Sequence, residues 1–132
     1  MNFLLDTHVW LWSLLEPHLL NSATKVAMAN PSYRFYLSPI TTWETLLLAE
    51  KKRILIHHSN PQQWVLQSVR SSNVFEAPLT HEVAIRSRQL QVPHQDPADR
   101  FIAATALEYG LTLMTADSNL LNSPQLVIGS VA

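Results

Sequence analysis

Short apolar strand candidates that alternate with helical stretches predict an α/β fold: three layers, α/β/α, around a mainly parallel central sheet. Two details support this. The segments are punctuated by capping residues and prolines, and Leu111-Thr112-Leu113-Met114-Thr115 reads as a strand of the buried kind that parallel sheets require. At 132 residues the chain matches one ordinary domain, residues 1–132, with no repeat, low-complexity tract or linker.

The elements follow in order. Asn2-Phe3-Leu4-Leu5 is the first strand and ends at Asp6. A helix is expected from Thr7 to Leu15, stopped by Glu16-Pro17. Asn21 or Ser22 caps a second helix reaching Ala29, and Arg34 to Leu37 forms a second strand with Ser38-Pro39 at its exit. Thr41 to Lys52 reads as a helix with Glu44 in its first turn. Asn60-Pro61 opens another, with proline at the first helical position. Val74 and Phe75 suggest a short strand, and Thr80 caps a helix to Leu90. Pro93 to Pro97 is a loop, after which Ala98 or Asp99 starts a helix ending near Tyr109, with Gly110 terminating it in a left-handed conformation. Leu126-Val127-Ile128 is the last strand.

Composition excludes several classes. A hydrophobic fraction of 47% with 14% charged residues fits a compact globular protein. No apolar run approaches the ~20 residues of a membrane-spanning helix, and the N-terminus, acidic by Asp6, makes a poor secretory signal. The chain has no cysteine, which removes disulfides, thiolate zinc sites and a cysteine nucleophile, and is compatible with the cytoplasm. A net charge of −1 advertises no polyanion partner, so nucleic-acid binding has to come from local charge, metal or an assembly.

The informative residues are the acids. The only aspartates are Asp6, Asp96, Asp99 and Asp117, and each falls at a strand end, in a loop or at a helix start. Ligands of open parallel sheets bind beyond the carboxyl ends of the strands, where Asp6 and Asp117 project and where Asp99 and Glu44 enter on helices. Taken singly, each acid is an ordinary cap or dipole partner. Together they repel one another, and a hard divalent cation removes the conflict. The chemistry best served is phosphodiester hydrolysis, one ion lowering the pKa of the attacking water and a second, ~4 Å away, stabilising the leaving oxygen. Histidine ligation is not expected: His8 can pack beside the first helix, His57-His58 suits a solvated turn, and His94 can orient its loop.

Four segments then resemble those of PIN-domain toxins in order and spacing. They are Leu4-Leu5-Asp6-Thr7-His8-Val9-Trp10-Leu11-Trp12, Ser38-Pro39-Ile40-Thr41-Thr42-Trp43-Glu44, Asp96-Pro97-Ala98-Asp99-Arg100-Phe101-Ile102-Ala103-Ala104-Thr105-Ala106, and Leu113-Met114-Thr115-Ala116-Asp117. The resemblance covers nearly the whole chain and implies a VapC-like endoribonuclease that uses Mg²⁺ or Mn²⁺. Asp6, Glu44, Asp99 and Asp117 match its four acidic positions. Asp96 is an extra acid expected behind those four. Thr7 and Thr115 would orient the acids by hydrogen bonds, and Arg100 would approach a phosphate or pair with a neighbouring acid.

The same resemblance implies an RNA substrate, a cognate antitoxin and a homodimer. The first helix is apolar on almost every side, through Val9, Trp10, Leu11, Trp12, Leu14 and Leu15. Half of it suits the core, and the rest, with Trp43 and Leu46-Leu47-Leu48, suits a partner. Two other readings compete. A phosphatase of the haloacid-dehalogenase type needs an aspartate two residues after the first, where this chain has His8. A catalytically silent PIN domain acting as an RNA- or protein-binding module becomes attractive when acids are missing, and here all four are present.

Overall fold

The computed structural model describes residues 1–91, 96–123, 126 and 128–130. Its strands are β1 (Asn2–Leu5), β2 (Arg34–Leu37), β3 (Phe75–Glu76), β4 (Thr112–Thr115) and β5 (Ile128–Ser130). They form one sheet in the order β3-β2-β1-β4-β5, and every neighbouring pair is parallel. The helices are α1 (Thr7–Leu15), α2 (Ser22–Ala29), α3 (Pro39–Glu50), α4 (Pro61–Ser71), α5 (His81–Gln89), α6 (Pro97–Tyr109) and the short α7 (Ser118–Leu121).

Strand side chains alternate between two cores, as a period of two requires. Leu4 and Leu113 face one core, covered by α5 and α6 through Val83, Ile102, Ala103 and Ala106. Phe3, Leu5, Phe35, Leu37 and Met114 face the other, covered by α1 and α4 through Val9, Trp10, Leu11 and Val65. The expected α/β/α layering is therefore present. Alanines at 103, 104 and 106 are fully buried or nearly so, and their small side chains bring α6 close to its neighbours.

Several boundaries differ from the sequence reading, for local reasons. Ser38-Pro39, read as a strand exit, instead opens α3: the Ser38 hydroxyl accepts from the Ile40 N–H at 3.1 Å, and Pro39 takes a position that needs no N–H. Glu44 accordingly sits in the second turn, not the first. Likewise α6 starts at Pro97, with Asp96 as its cap, before the expected Ala98 or Asp99. The final strand lies at Ile128–Ser130, shifted from Leu126–Ile128; Val127 falls outside the described residues, as do Pro93, His94 and Gln95 of the expected loop. After Asp117 the chain makes one short helical turn, α7. Gly110 adopts the left-handed conformation (φ 63°) and closes α6, as expected.

The chain builds outward from β1 to β2 and β3, then crosses to β4 and β5 on the other side. Between β1 and β4 the connections leave in opposite directions, which opens a crevice at the carboxyl edge. Leu4, in the central strand, is 0% exposed. Leu4→Ala is expected to cost about 2–5 kcal/mol in urea unfolding, since cavity and transfer terms add. A loss below about 1 kcal/mol would mean that the sheet repacks around the gap.

Candidate active site

At the crevice, the β1–α1 and β4–α7 junctions meet. The Asp6 N–H donates to the Met114 carbonyl at 3.0 Å, which extends the parallel ladder one residue past β1. The Asp6 side chain is buried and caps α1, with Oδ1 accepting from the Thr7 N–H at 2.9 Å. Its Oδ2 accepts from the Thr115 hydroxyl at 2.6 Å, and the same Thr115 oxygen accepts from the Asp117 N–H at 3.0 Å. Thr115 thus ties two acids that lie far apart in sequence. Asp117 caps α7 by accepting from the Asn119 N–H at 2.9 Å.

The opposite wall comes from α3 and α6. One carboxylate oxygen from each of Glu44, Asp96 and Asp99 lies within 4.8 Å of the others. Asp96, expected behind the other acids, is therefore in the tightest group, while its Oδ1 caps α6 through the Ala98 N–H at 2.9 Å. Thr7 links to α3 through Thr41, with the two hydroxyl oxygens 3.1 Å apart. Thr41 went unnoticed in the sequence, where nothing separates it from any other helix-start threonine.

Arg100 is turned towards α5. Its buried guanidinium donates from Nε to the Ser87 carbonyl at 2.8 Å and from Nη2 to the Leu90 carbonyl at 3.0 Å. It fastens the start of α6 to the end of α5, and these bonds account for its burial.

Burial and mutual repulsion act together on the acids. Burial pushes the Asp6 carboxyl up, against the lowering effects of His8 and of hydrogen bonds from Thr115 and Thr7. Glu44 is raised chiefly by burial, then by Asp6 and Asp96, with a Thr7 hydrogen bond opposing. Asp99 is raised to about 8, first by burial and then by the charges of Asp6, Asp96, Glu44 and Asp117. All five acids therefore share one field. A cavity of about 490 Å³ elsewhere, lined by residues such as Trp10, Met28, Tyr33 and Phe35, contains no acid and offers no comparable chemistry.

The model of the PIN-domain family matches residues 3–124. This chain belongs to the PIN-domain family. It is 34% identical over 119 residues to ribonuclease VapC22 of Mycobacterium tuberculosis, an alignment covering 89% of this chain and 88% of that protein. Among solved structures, the PIN fold here resembles the crystal structure of VapBC2 from Rickettsia felis bound to a promoter DNA fragment (TM-score 0.72, 15% identity, all of both chains). It also resembles a toxin–antitoxin complex from Klebsiella pneumoniae (TM-score 0.66, 20% identity, 97% of this chain and 96% of that one). At these identities the structural likeness speaks for the fold.

The acids of this PIN domain suit a hard divalent cation. The close group offers only carboxylate oxygens, and Glu44 Oε1 is buried without a hydrogen-bond partner among the described residues. A buried acceptor left unmatched is costly unless a cation or water meets it. The pH response follows from Asp99. Its folded pKa of about 8 exceeds the unfolded 3.8, so between those values the fold binds a proton that the unfolded chain releases. Stability without divalent cations should then fall as pH rises from about 4 to about 8. Asp99→Asn should flatten that fall and raise the melting temperature at the upper end, measured by thermal unfolding in chelator. A flat wild-type profile would show instead that Asp99 is ionised in the metal-free fold.

Proposed function

We propose that this chain is a divalent-metal-dependent endoribonuclease, the toxin member of a toxin–antitoxin pair. The observation that carries this reading is the convergence of acids from four chain segments on the crevice between β1 and β4. The relationship to a ribonuclease at 34% identity supports RNA as the substrate.

In this reading Glu44, Asp96 and Asp99 hold Mg²⁺ or Mn²⁺, with Asp6 and Asp117 completing the acidic wall. The cation supplies positive charge that activates water and offsets charge building on the phosphate. The chain's own residues keep the geometry. Thr7 and Thr115 hold both oxygens of Asp6 in place, and the N-terminal turns of α1 and α6 present their carboxylates from rigid elements. Arg100 holds α6 in position and is not proposed as a phosphate contact.

Partners follow from the surface and from the relatives. Leu46 and Leu48 are half-buried and pack against the α1–α4 core. Leu14, Leu15 and Trp43 stay exposed. They are proposed to be covered by a cognate antitoxin or by the second subunit of a homodimer, as part of a complex like those solved for structural relatives. No helix among the described residues is long and apolar enough to cross a membrane, and a cytoplasmic site of action suits an RNA substrate.

The test is incubation of the purified protein with structured RNA and tRNA in Mg²⁺ or Mn²⁺, beside Asp6→Asn, Asp99→Asn and a chelator control. Metal-dependent cleavage is expected from the wild type and none from either variant. Asp96→Asn is expected to weaken Mn²⁺ binding about tenfold or more, the scale seen when groups supporting a metal site are removed. Cleavage that survives in both of the first two variants would belong to a contaminant. A folded, cation-binding wild type that cuts no RNA would favour a silent binding module.

A further inference from the structure

We propose that His8 is a positioning residue of the acidic site: its imidazole accepts through Nε2 and bolts the turn carrying Asp117 to the first turn of α1, beside Asp6. The Ala116 N–H donates to His8 Nε2 at 3.2 Å, across 108 residues of sequence. His8 Nδ1 lies 3.6 Å from Asp6 Oδ2, and the ring rests against Trp12 with centroids 5.1 Å apart.

The chemistry follows from which nitrogen accepts. An imidazole nitrogen that receives a hydrogen bond carries no proton, so the ring proton sits on Nδ1, the side that faces the Asp6 carboxylate. Nε2 is taken up by a backbone amide, and Nδ1 is turned towards Asp6. A histidine beside a nuclease centre invites a role in proton transfer, and this geometry argues against it here. The close carboxylate group likewise forms without any histidine nitrogen.

What the tie does is visible from its neighbours. Ala116 stands between Thr115, which donates to Asp6, and Asp117, whose N–H donates to the Thr115 hydroxyl. The turn from Thr115 to Asp117 is thus fastened to the β1–α1 junction at two side chains, Thr115 and His8. Without His8 the part-buried Ala116 N–H loses this acceptor, and one of the two side-chain ties that oppose the repulsion between Asp117 and Asp6 is gone. Positioning groups of this kind set how well a metal site is preorganised.

Two arms test this without using RNA. Nitrogen-15 side-chain spectra of the folded protein in chelator should show His8 as the Nδ1–H tautomer. Mn²⁺ affinity should fall about tenfold in His8→Ala and recover in His8→Gln, whose carboxamide oxygen can replace Nε2 as the acceptor. A third arm rests on the nuclease reading: kcat should fall in His8→Ala with KM for RNA unchanged. An Nε2–H tautomer would overturn the proposal, as would native Mn²⁺ affinity in His8→Ala. If His8→Ala does not fold, the tautomer and a folded His8→Gln with native affinity still support it, and a folded His8→Gln with weakened affinity overturns it. Lost cleavage at native Mn²⁺ affinity would move His8 to proton transfer and overturn it too. Should the protein cut no RNA while both first arms succeed, the nuclease reading fails and the positioning role stands.

Discussion

The parallel pairing of β1 with β4 is the constraint on which the rest of the molecule depends. It places residues 109 apart in hydrogen-bond contact, Thr115 on Asp6, and it does so at the point where the chain's connections diverge. The backbone bond from Asp6 to Met114 extends the ladder just far enough to fix the direction in which the Asp6 side chain leaves. Any slip of this register by one residue would turn Leu4 and Leu113 to the wrong core, because strand side chains alternate. The two hydrophobic layers therefore enforce the register, and the register places the acids. Packing far from the crevice thereby has a direct geometric consequence inside it.

That arrangement has an energetic cost, visible in the acids themselves. Burial and four neighbouring charges hold Asp99 protonated to about pH 8. A fold selected for stability alone would not converge five carboxyl groups on one crevice, with a Glu44 oxygen buried and unmatched among the described residues. Small domains tolerate such strain only if the remainder overcompensates. Here the compensation is the central strands β1 and β4 buried between two helical layers, with Leu4, Val9, Ile102 and Leu113 all fully enclosed. Removal of repulsion by a cation would give back part of the cost, which is why metal binding and folding are expected to be coupled in this site.

Much of this was legible in the sequence, and the misses have a common physical origin. Strand β1, helices α1 and α2, the Asn60-Pro61 entry and the Gly110 stop all carry local signals strong enough to be read directly. Ser38-Pro39 and Asp96-Pro97 were harder, because a polar residue followed by proline can end one element or begin the next. Which of the two applies depends on whether the side chain finds an amide to cap, and only the folded chain shows that it does. Reading Asp96 outside the helix also hid its proximity to Glu44 and Asp99. Moving the helix start back makes Asp96 the cap of α6 and puts Asp99, three residues on, in the first turn of the same helix. Tertiary ties such as Thr7 to Thr41 and Ala116 to His8 leave no local trace, since each partner looks ordinary within its own segment.

The position of Arg100 shows how the same logic reaches the second wall of the crevice. A guanidinium one residue after Asp99 invites a phosphate or a neighbouring carboxylate as partner. Its planar fork satisfies two carbonyls at the end of α5, Ser87 and Leu90, where the last turn of a helix leaves acceptors without amide partners. The charge also suits the negative end of the α5 dipole. Buried inside the molecule, it locks the entry of α6 against α5, and the entry of α6 carries Asp96 and Asp99. Each wall of the crevice is thus fixed from behind: Asp6 and Asp117 by Thr115, Asp96 and Asp99 by Arg100. Carboxylates that repel one another stay close because their segments are tied in place, on one wall by the bonds Thr115 makes to Asp6 Oδ2 and the Asp117 N–H, on the other by the bonds of Arg100 to the end of α5.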